Sequence, residues 1–297
     1  MTLPGALRAT IEEALNRRFG KEVRVTGTSP VGGGCIGDTA RVDTTHGPFF
    51  LKTAAGSPGA MFTAEAKGLA ALHATGTIEV PEPIASSAGK DGCPAYLLTG
   101  WLEPGPRKPR FFEDFGRRFA LLHRKGRAER FGFEEDNFIG STPQPNGWMD
   151  DWTEFFRERR LGYQLHLARR NGQDGELQRL GAGLMERLAE YLDEPAEPPA
   201  LLHGDLWSGN YLSNADGEPV IIDPAVYYGR READLAMTQL FGGFPQAFYS
   251  AYEEEWPLAP GSTERLEIYK LYHLLNHLNL FGSGYLGGCL STLRRFA

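Results

Sequence analysis

The sequence predicts an α+β fold in which a small β-rich lobe precedes a larger, mainly helical one. Three observations carry that expectation. Residues 22–54 set Val23, Val25, Val42, Phe49, Phe50 and Leu51 among Gly, Thr and turn dipeptides, the pattern of two or three antiparallel strands. From about residue 110 onward most apolar residues recur at helical spacing. Between these regions a β-like run, 94–100, leads into Pro104 and Pro106, so an interlobe hinge is expected near 99–106. The expected lobes are residues 1–101 and 102–297.

Taken in order, the chain opens with Leu7, Ile11 and Leu15 among charged residues, an amphipathic helix. Residues 59–76 are rich in helix formers and end on a glycine stop signal. Further helices are expected at 110–126, 151–171, 174–193, 231–240, 245–255 and 262–280. Within the helical lobe, two short apolar runs, Pro199 to Leu202 and Pro219 to Ile222, read as a short hairpin flanking a polar segment. Asn214-Ala215-Asp216-Gly217 reads as a turn.

Composition narrows the possible functions. With 297 residues, 41% of them hydrophobic, the chain can build one large domain or two lobes with real cores. A net charge of −7 argues against a broad nucleic-acid footprint. Cys35, Cys93 and Cys289 form no CxxC pair, which disfavours a zinc knuckle or a disulfide framework and fits a reducing cytoplasm. The start lacks the apolar core of a signal peptide, and no run approaches the ~18 apolar residues of a membrane span. A soluble protein without a membrane partner is expected; nothing in the sequence fixes an oligomeric state.

The polar segment is His203-Gly204-Asp205-Leu206-Trp207-Ser208-Gly209-Asn210. In kinase chemistry an Asp accepts the proton of the substrate hydroxyl and an Asn five positions later binds magnesium, both from one loop. Asp205 and Asn210 keep that spacing, and His203 would brace the loop by hydrogen bonding. Asp223 ends the apolar run Val220-Ile221-Ile222, where a carboxylate suits a second Mg²⁺ ligand. Upstream, the Gly32-Gly33-Gly34 cluster lies between strand-like runs, as a loop over phosphates would. Lys52 ends the run Phe49-Phe50-Leu51, matching a strand lysine that holds phosphates, and Glu65 in the next helix is placed to pair with it. Each feature alone is common; their order along one chain predicts an ATP- and Mg²⁺-dependent phosphotransferase.

The wider strings are more specific. The segment 203–210, then Asp223-Pro224-Ala225-Val226-Tyr227-Tyr228-Gly229, then Arg231-Glu232-Ala233-Asp234-Leu235-Ala236-Met237, resembles the fructosamine kinase (ketosamine-3-kinase) family. The likeness runs on through Phe241-Gly242-Gly243-Phe244-Pro245, and takes in the glycine loop with Cys35, Gly47 to Lys52, Pro81-Glu82-Pro83 and Asp150-Asp151-Trp152. Arg230 departs from the family, which often has His there, and Asp-Pro-Ala replaces the Asp-Phe-Gly of protein kinases. The resemblance covers most of the chain. It implies a bilobal protein-kinase-like fold and ATP-dependent phosphorylation of the 3-hydroxyl of sugars attached to amines, after which the adduct detaches, a deglycation repair.

Carried over, Asp205 is the proton acceptor, Asn210 and Asp223 are Mg²⁺ ligands, and Lys52 is the phosphate contact. The backbone at Leu98, Thr99, Gly100 and Trp101 would meet adenine. The resemblance does not choose between fructosamine and ribulosamine, or between a free and a protein-bound amine. Trp207 fits either a wall for the sugar or a core aromatic, and His277 either the substrate cleft or a satisfied helix residue. Glu232 and Asp234 read as helix-start acids in preference to ligands of a substrate amine. Cys35 reads equally as a redox-sensitive thiol or as a small buried side chain. The alternatives are an aminoglycoside or choline kinase, against which Trp207-Ser208 and Tyr227-Tyr228-Gly229 tilt, and a non-catalytic nucleotide-binding protein, against which the full set of motif residues stands. A protein kinase proper is disfavoured, since no activation segment leads to a later Ala-Pro-Glu.

Overall fold

The β-rich part of the sequence folds into one antiparallel sheet. The structure, a computed structural model, describes residues 3–32, 37–54, 59–90, 92–193 and 196–297. It forms two units, Met1–Phe111 with Leu212–Pro224, and Phe112–Tyr211 with Ala225–Ala297. In the first unit the strands β1 (Val25–Pro30), β2 (Asp38–Thr44), β3 (Gly47–Ala54), β4 (Pro83–Ser87) and β5 (Ala95–Gly100) run in the order β1-β2-β3-β5-β4. Helix α1 (Gly5–Phe19) buries Leu7, Ile11 and Leu15, one per turn, against Val25, Val42, Phe49, Leu51 and Leu98 of the sheet. Because side chains alternate along a strand, the β3 residues Phe49 and Leu51 enter this core while Phe50 and Lys52 point to the opposite face. Helix α2 (Ala60–Ala74) packs beside β4 and β5 and buries Phe62, Leu69 and Leu72.

The two apolar runs around residues 200 and 220 do not pair with each other, contrary to the hairpin expected. Strand β8 (Ala200–Leu202) pairs with β11 (Tyr227–Gly229), and β9 (Tyr211–Ser213) pairs with β10 (Pro219–Ile221). The turn between β9 and β10 explains the exchange. Asn214 Oδ1 accepts from the N–H groups of Asp216 and Glu218, and Gly217 takes the left-handed conformation at φ 75°. Ile221 N–H then donates to Glu79 O at 3.0 Å, which ties β10 to the first unit.

The second unit is mainly helical: α3 (Phe111–Lys125), α4 (Trp152–Phe155), α5 (Tyr163–Arg170), α6 (Glu176–Leu192), α7 (Glu232–Gln239), α8 (Gln246–Glu255), α9 (Ser262–Phe281) and α10 (Leu286–Phe296). Asp151 caps α4 by accepting from Glu154 N–H, and π-helical turns over Phe156–Gly162 join α4 to α5. Among the elements of this unit not expected from the sequence, two stand out. One is the hairpin β6 (Asn137–Ile139) and β7 (Thr142–Gln144), turned at Gly140. The other is α10, whose Gly287-Gly288 pair lowers helix propensity but whose Cys289, Leu293 and Phe296 are buried. Among the described residues, no helix is long and apolar enough to cross a membrane.

Candidate active site

Lys52 is clasped by two carboxylates. Its Nζ donates to Glu65 Oε1 at 2.7 Å and to Asp223 Oδ1 at 2.6 Å. The pairing with Glu65 expected from the sequence is formed, and Asp223 joins it through the β9–β10 segment. Burial pulls the Lys52 ammonium toward neutrality, but the two carboxylates outweigh it and hold its pKa above the ordinary lysine value. Glu65 moves upward, first through burial and further through Asp223, with Lys52 opposing. The cluster therefore holds two acids against one cation, and charge would be balanced by a further positive group.

The same face of the sheet lines a cavity of about 210 Å³. Phe50 and Leu69 supply apolar walls; Leu69 lies one helical turn beyond Glu65 on α2 and so shares its face. Gly32, Thr99, Gly100 and Trp101 line it as well, together with Lys52, Glu65 and Asp223. Leu98 does not: its side chain is in the core beneath α1. Gly33, Gly34 and Cys35 lie outside the described residues.

In the second unit, the loop after β8 holds Asp205. Gly204 sits at φ 81°, and a Cβ there would lie 2.0 Å from Ala225 O, so only glycine allows the turn. Asn210 Nδ2 donates to Asp205 O at 2.8 Å and to Asp205 Oδ2 at 3.3 Å. With its N–H groups committed there, the amide oxygen of Asn210 is what it can offer elsewhere. His203 is fully buried, and its Nδ1 accepts from Asp205 N–H at 3.3 Å, the bracing expected of it.

Three comparisons with known proteins bear on this arrangement. The family model described as fructosamine kinase matches residues 7–296. The chain belongs to the fructosamine kinase family. A protein of Synechocystis sp. named as a probable ketoamine kinase is 45% identical over 93% of this chain and 92% of its own length. The chloroplastic protein-ribulosamine 3-kinase of Arabidopsis thaliana is 43% identical over 92% of this chain and 83% of its own. A crystal structure from Haemophilus somnus, provisionally named a fructosamine-3-kinase, superposes with a TM-score of 0.85 at 30% identity, covering 96% of each chain. The fold is the protein-kinase-like one, an N-terminal antiparallel sheet followed by a mainly helical part.

For a fructosamine kinase the residues that hold the Asp205 loop matter as much as the loop, and the sequence reading missed most of them. Asp234, read as a helix-start acid, is buried in the first turn of α7 and accepts from His203 N–H at 2.7 Å and Gly204 N–H at 2.8 Å. It also bonds His123 Nε2 at 3.1 Å, while His123 Nδ1 lies 2.8 Å from Tyr252 Oη. Burial pushes the His123 pKa down against the pull of Asp234, so the ring is neutral, donating from Nε2 and accepting at Nδ1. Gln144 Nε2 donates to Ala225 O at 3.0 Å and Asn137 Nδ2 to Val226 O at 2.7 Å, fixing the segment before β11 that Gly204 turns against. Glu232 is buried too, in a two-pronged ion pair with Arg265 at 2.6 and 2.7 Å. Of these residues, His123 on α3 and Glu232 and Asp234 on α7 are buried polar side chains at helix positions where apolar ones would suit the pattern.

Trp207 and His277 both stand in one aromatic group. The Trp207 ring meets Phe241 edge-on at 6.3 Å, and Phe241 lies 4.6 Å from the ring of His277. A Cβ at Gly209 would lie 2.4 Å from the Trp207 ring, so this glycine lets the indole fold back over its own loop.

Among the described residues, no three His, Cys, Asp or Glu side chains gather to hold a metal ion. Mg²⁺ needs only one or two protein carboxylates and completes its shell with phosphate oxygens and water. Asp223 fits such a part, since its carboxylate keeps 36% exposure beside Lys52.

Proposed function

We propose that this fructosamine kinase family member transfers a phosphoryl group from ATP to the 3-hydroxyl of ketosamines, free or protein-bound, as a deglycation repair. The observation that carries the chemistry is Lys52, an ammonium held in place by Glu65 and Asp223 on one wall of an apolar cavity. The acceptor class rests on the ketoamine and ribulosamine kinases to which the chain is 45% and 43% identical.

Each residue has a part. Asp205 takes the proton of the attacking sugar hydroxyl, and Asn210, bonded to its carboxylate, fixes its direction. Lys52 holds phosphate oxygens, with Glu65 aiming its ammonium. Backbone at Leu98 to Trp101 receives the adenine, and Gly32 to Gly34 cover the phosphates. Asn210 and Asp223 would hold Mg²⁺, which when bound neutralises charge on the transferred group. Trp207, two residues after the base, walls the sugar. The separated cysteines fit a reducing, cytoplasmic setting.

The test is ATP turnover, by coupled assay, with ribulosamine, fructosamine, an aminoglycoside and choline in parallel. Turnover confined to the ketosamines is expected. Turnover confined to aminoglycoside or choline, or ATP binding without transfer to any of the four, would overturn the reading.

A further inference from the structure

Among the described residues, the large hydrophobics classed as exposed are two, Phe241 at 38% and Phe281 at 65%, and both belong to the aromatic group that begins at Trp207. His277 stands at its centre, with ring centroids 4.6 Å from Phe241, 5.4 Å from Phe281 and 5.1 Å from Tyr285. Local chain geometry builds the group. His277 and Phe281 lie one turn apart on α9, and Gly282 at φ 91° turns the chain so that Tyr285 returns to both. Phe241 takes φ 55°, followed by Gly242 and Gly243 at positive φ, an uncommon and costly conformation for a bulky residue. Folding alone would bury these rings; here they are kept at the surface beside the loop of the base.

The chemistry of the group is specific. His277 Nδ1 lies 2.8 Å from the His273 carbonyl oxygen and so must carry the proton, which leaves Nε2 an acceptor. Burial also lowers the His277 pKa, keeping the ring neutral. Rings that attract a cation, with a neutral acceptor among them, suit an alkylammonium on a hydrocarbon stem. A ketosamine made on lysine has that form: the sugar is joined to a protonated secondary amine, and the amine to four methylene groups.

We propose that Phe241, His277, Phe281 and Tyr285 bind the amine carrier of the substrate, the ammonium and stem of a glycated lysine, next to the sugar wall at Trp207. The inference rests on the function proposed above and deepens it: the enzyme selects for what the sugar is attached to as well as for the sugar. Neutral His277 accepts the ammonium N–H, and the Phe281 and Tyr285 rings cover the stem.

The test compares kcat/KM for Nα-acetyl-ribulosyl-lysine with that for 1-amino-1-deoxyribulose, which has the same sugar and no stem. In Phe281→Ala the ratio of the two should fall about tenfold, the range of a cation–π contact plus stem burial. Phe281→Leu, which keeps apolar area without a ring face, should restore only part of it, and serves alone if the alanine variant unfolds at lower temperature. A ratio equal to the parent's in both variants would overturn this inference and leave the proposed function standing. A parent that phosphorylates neither compound would instead overturn the proposed function, and this inference with it.

Discussion

Replacing Asp234 with Asn perturbs the loop of Asp205 without altering Asp205 itself. The carboxylate serves three donors, the N–H groups of His203 and Gly204 and Nε2 of His123, at 2.7, 2.8 and 3.1 Å. Both Asp234 and His123 are buried, so water does not stand in readily for a lost acceptor. An amide keeps one oxygen and turns an NH₂ group toward donors. At least one N–H is then left unsatisfied, and the others exchange a charged acceptor for a neutral one. With an orphaned buried donor costing about 1–3 kcal/mol and a charge-assisted bond worth roughly twice a neutral one, the loss should be about 2–4 kcal/mol. That is a large part of the stability typical of a domain, about 5–15 kcal/mol. Because the lost bonds fix the backbone of the two residues before Asp205, kcat should fall by about tenfold or more. The KM for ATP should hold within about twofold, since Asp234 belongs to the other unit's packing and not to the Lys52 cavity. Urea denaturation and initial rates measure both effects. Stability within about 0.5 kcal/mol of the parent, with kcat unchanged, would refute the argument.

Three other outcomes follow from the same structure. Asp205→Ala should keep the parent's urea midpoint and ATP affinity while kcat falls by about 10²–10⁴, the usual contribution of a general base; an active variant would remove Asp205 from that part. Lys52→Met should lower kcat/KM for ATP by at least about a hundredfold, with Glu65→Gln giving a smaller loss, because the glutamate aims the ammonium and does not touch phosphate itself; equal losses would contradict that division. Stability should fall as pH drops below about 6.5, the unfolded histidine value. Burial holds His123 below that value and pushes His273 down to about 3, so the unfolded chain binds protons that the folded one refuses. His277 is lowered as well, so each of the three rings adds a slope of about 1 kcal/mol per pH unit in that window, and His273→Asn should remove about a third of the total as read by urea midpoints from pH 7 to 5; an unchanged slope would refute this.

The cluster around Lys52 was legible in the sequence because kinase chemistry imposes an order of residue types along the chain. Most of the sheet and α1 were legible because period-two and period-four patterns are local, although β4 was not. What escaped depends on contacts between distant segments. Asp234 stands in the first turn of α7 as expected, but its hold on the Asp205 loop shows only when residues 203–204 approach it. The exchange of strand partners around residue 210 likewise depends on the Asn214–Gly217 turn closing a different pair. Helix α10 forms against its own propensity because three side chains reach a core supplied by other helices. Phe241 and Phe281 could not be told from core residues, since exposure is a property of the fold and not of the residue type.

The central claim is that Asp205 directs a phosphoryl group onto the 3-oxygen of a ketosamine. It is tested most directly by phosphorus–proton correlation NMR on the product formed from ATP and ribulosyl-lysine. The account predicts a correlation to the proton on carbon 3 with the parent enzyme and no product signal with Asp205→Ala. A phosphate on any other oxygen, or the same product from the variant, would contradict it.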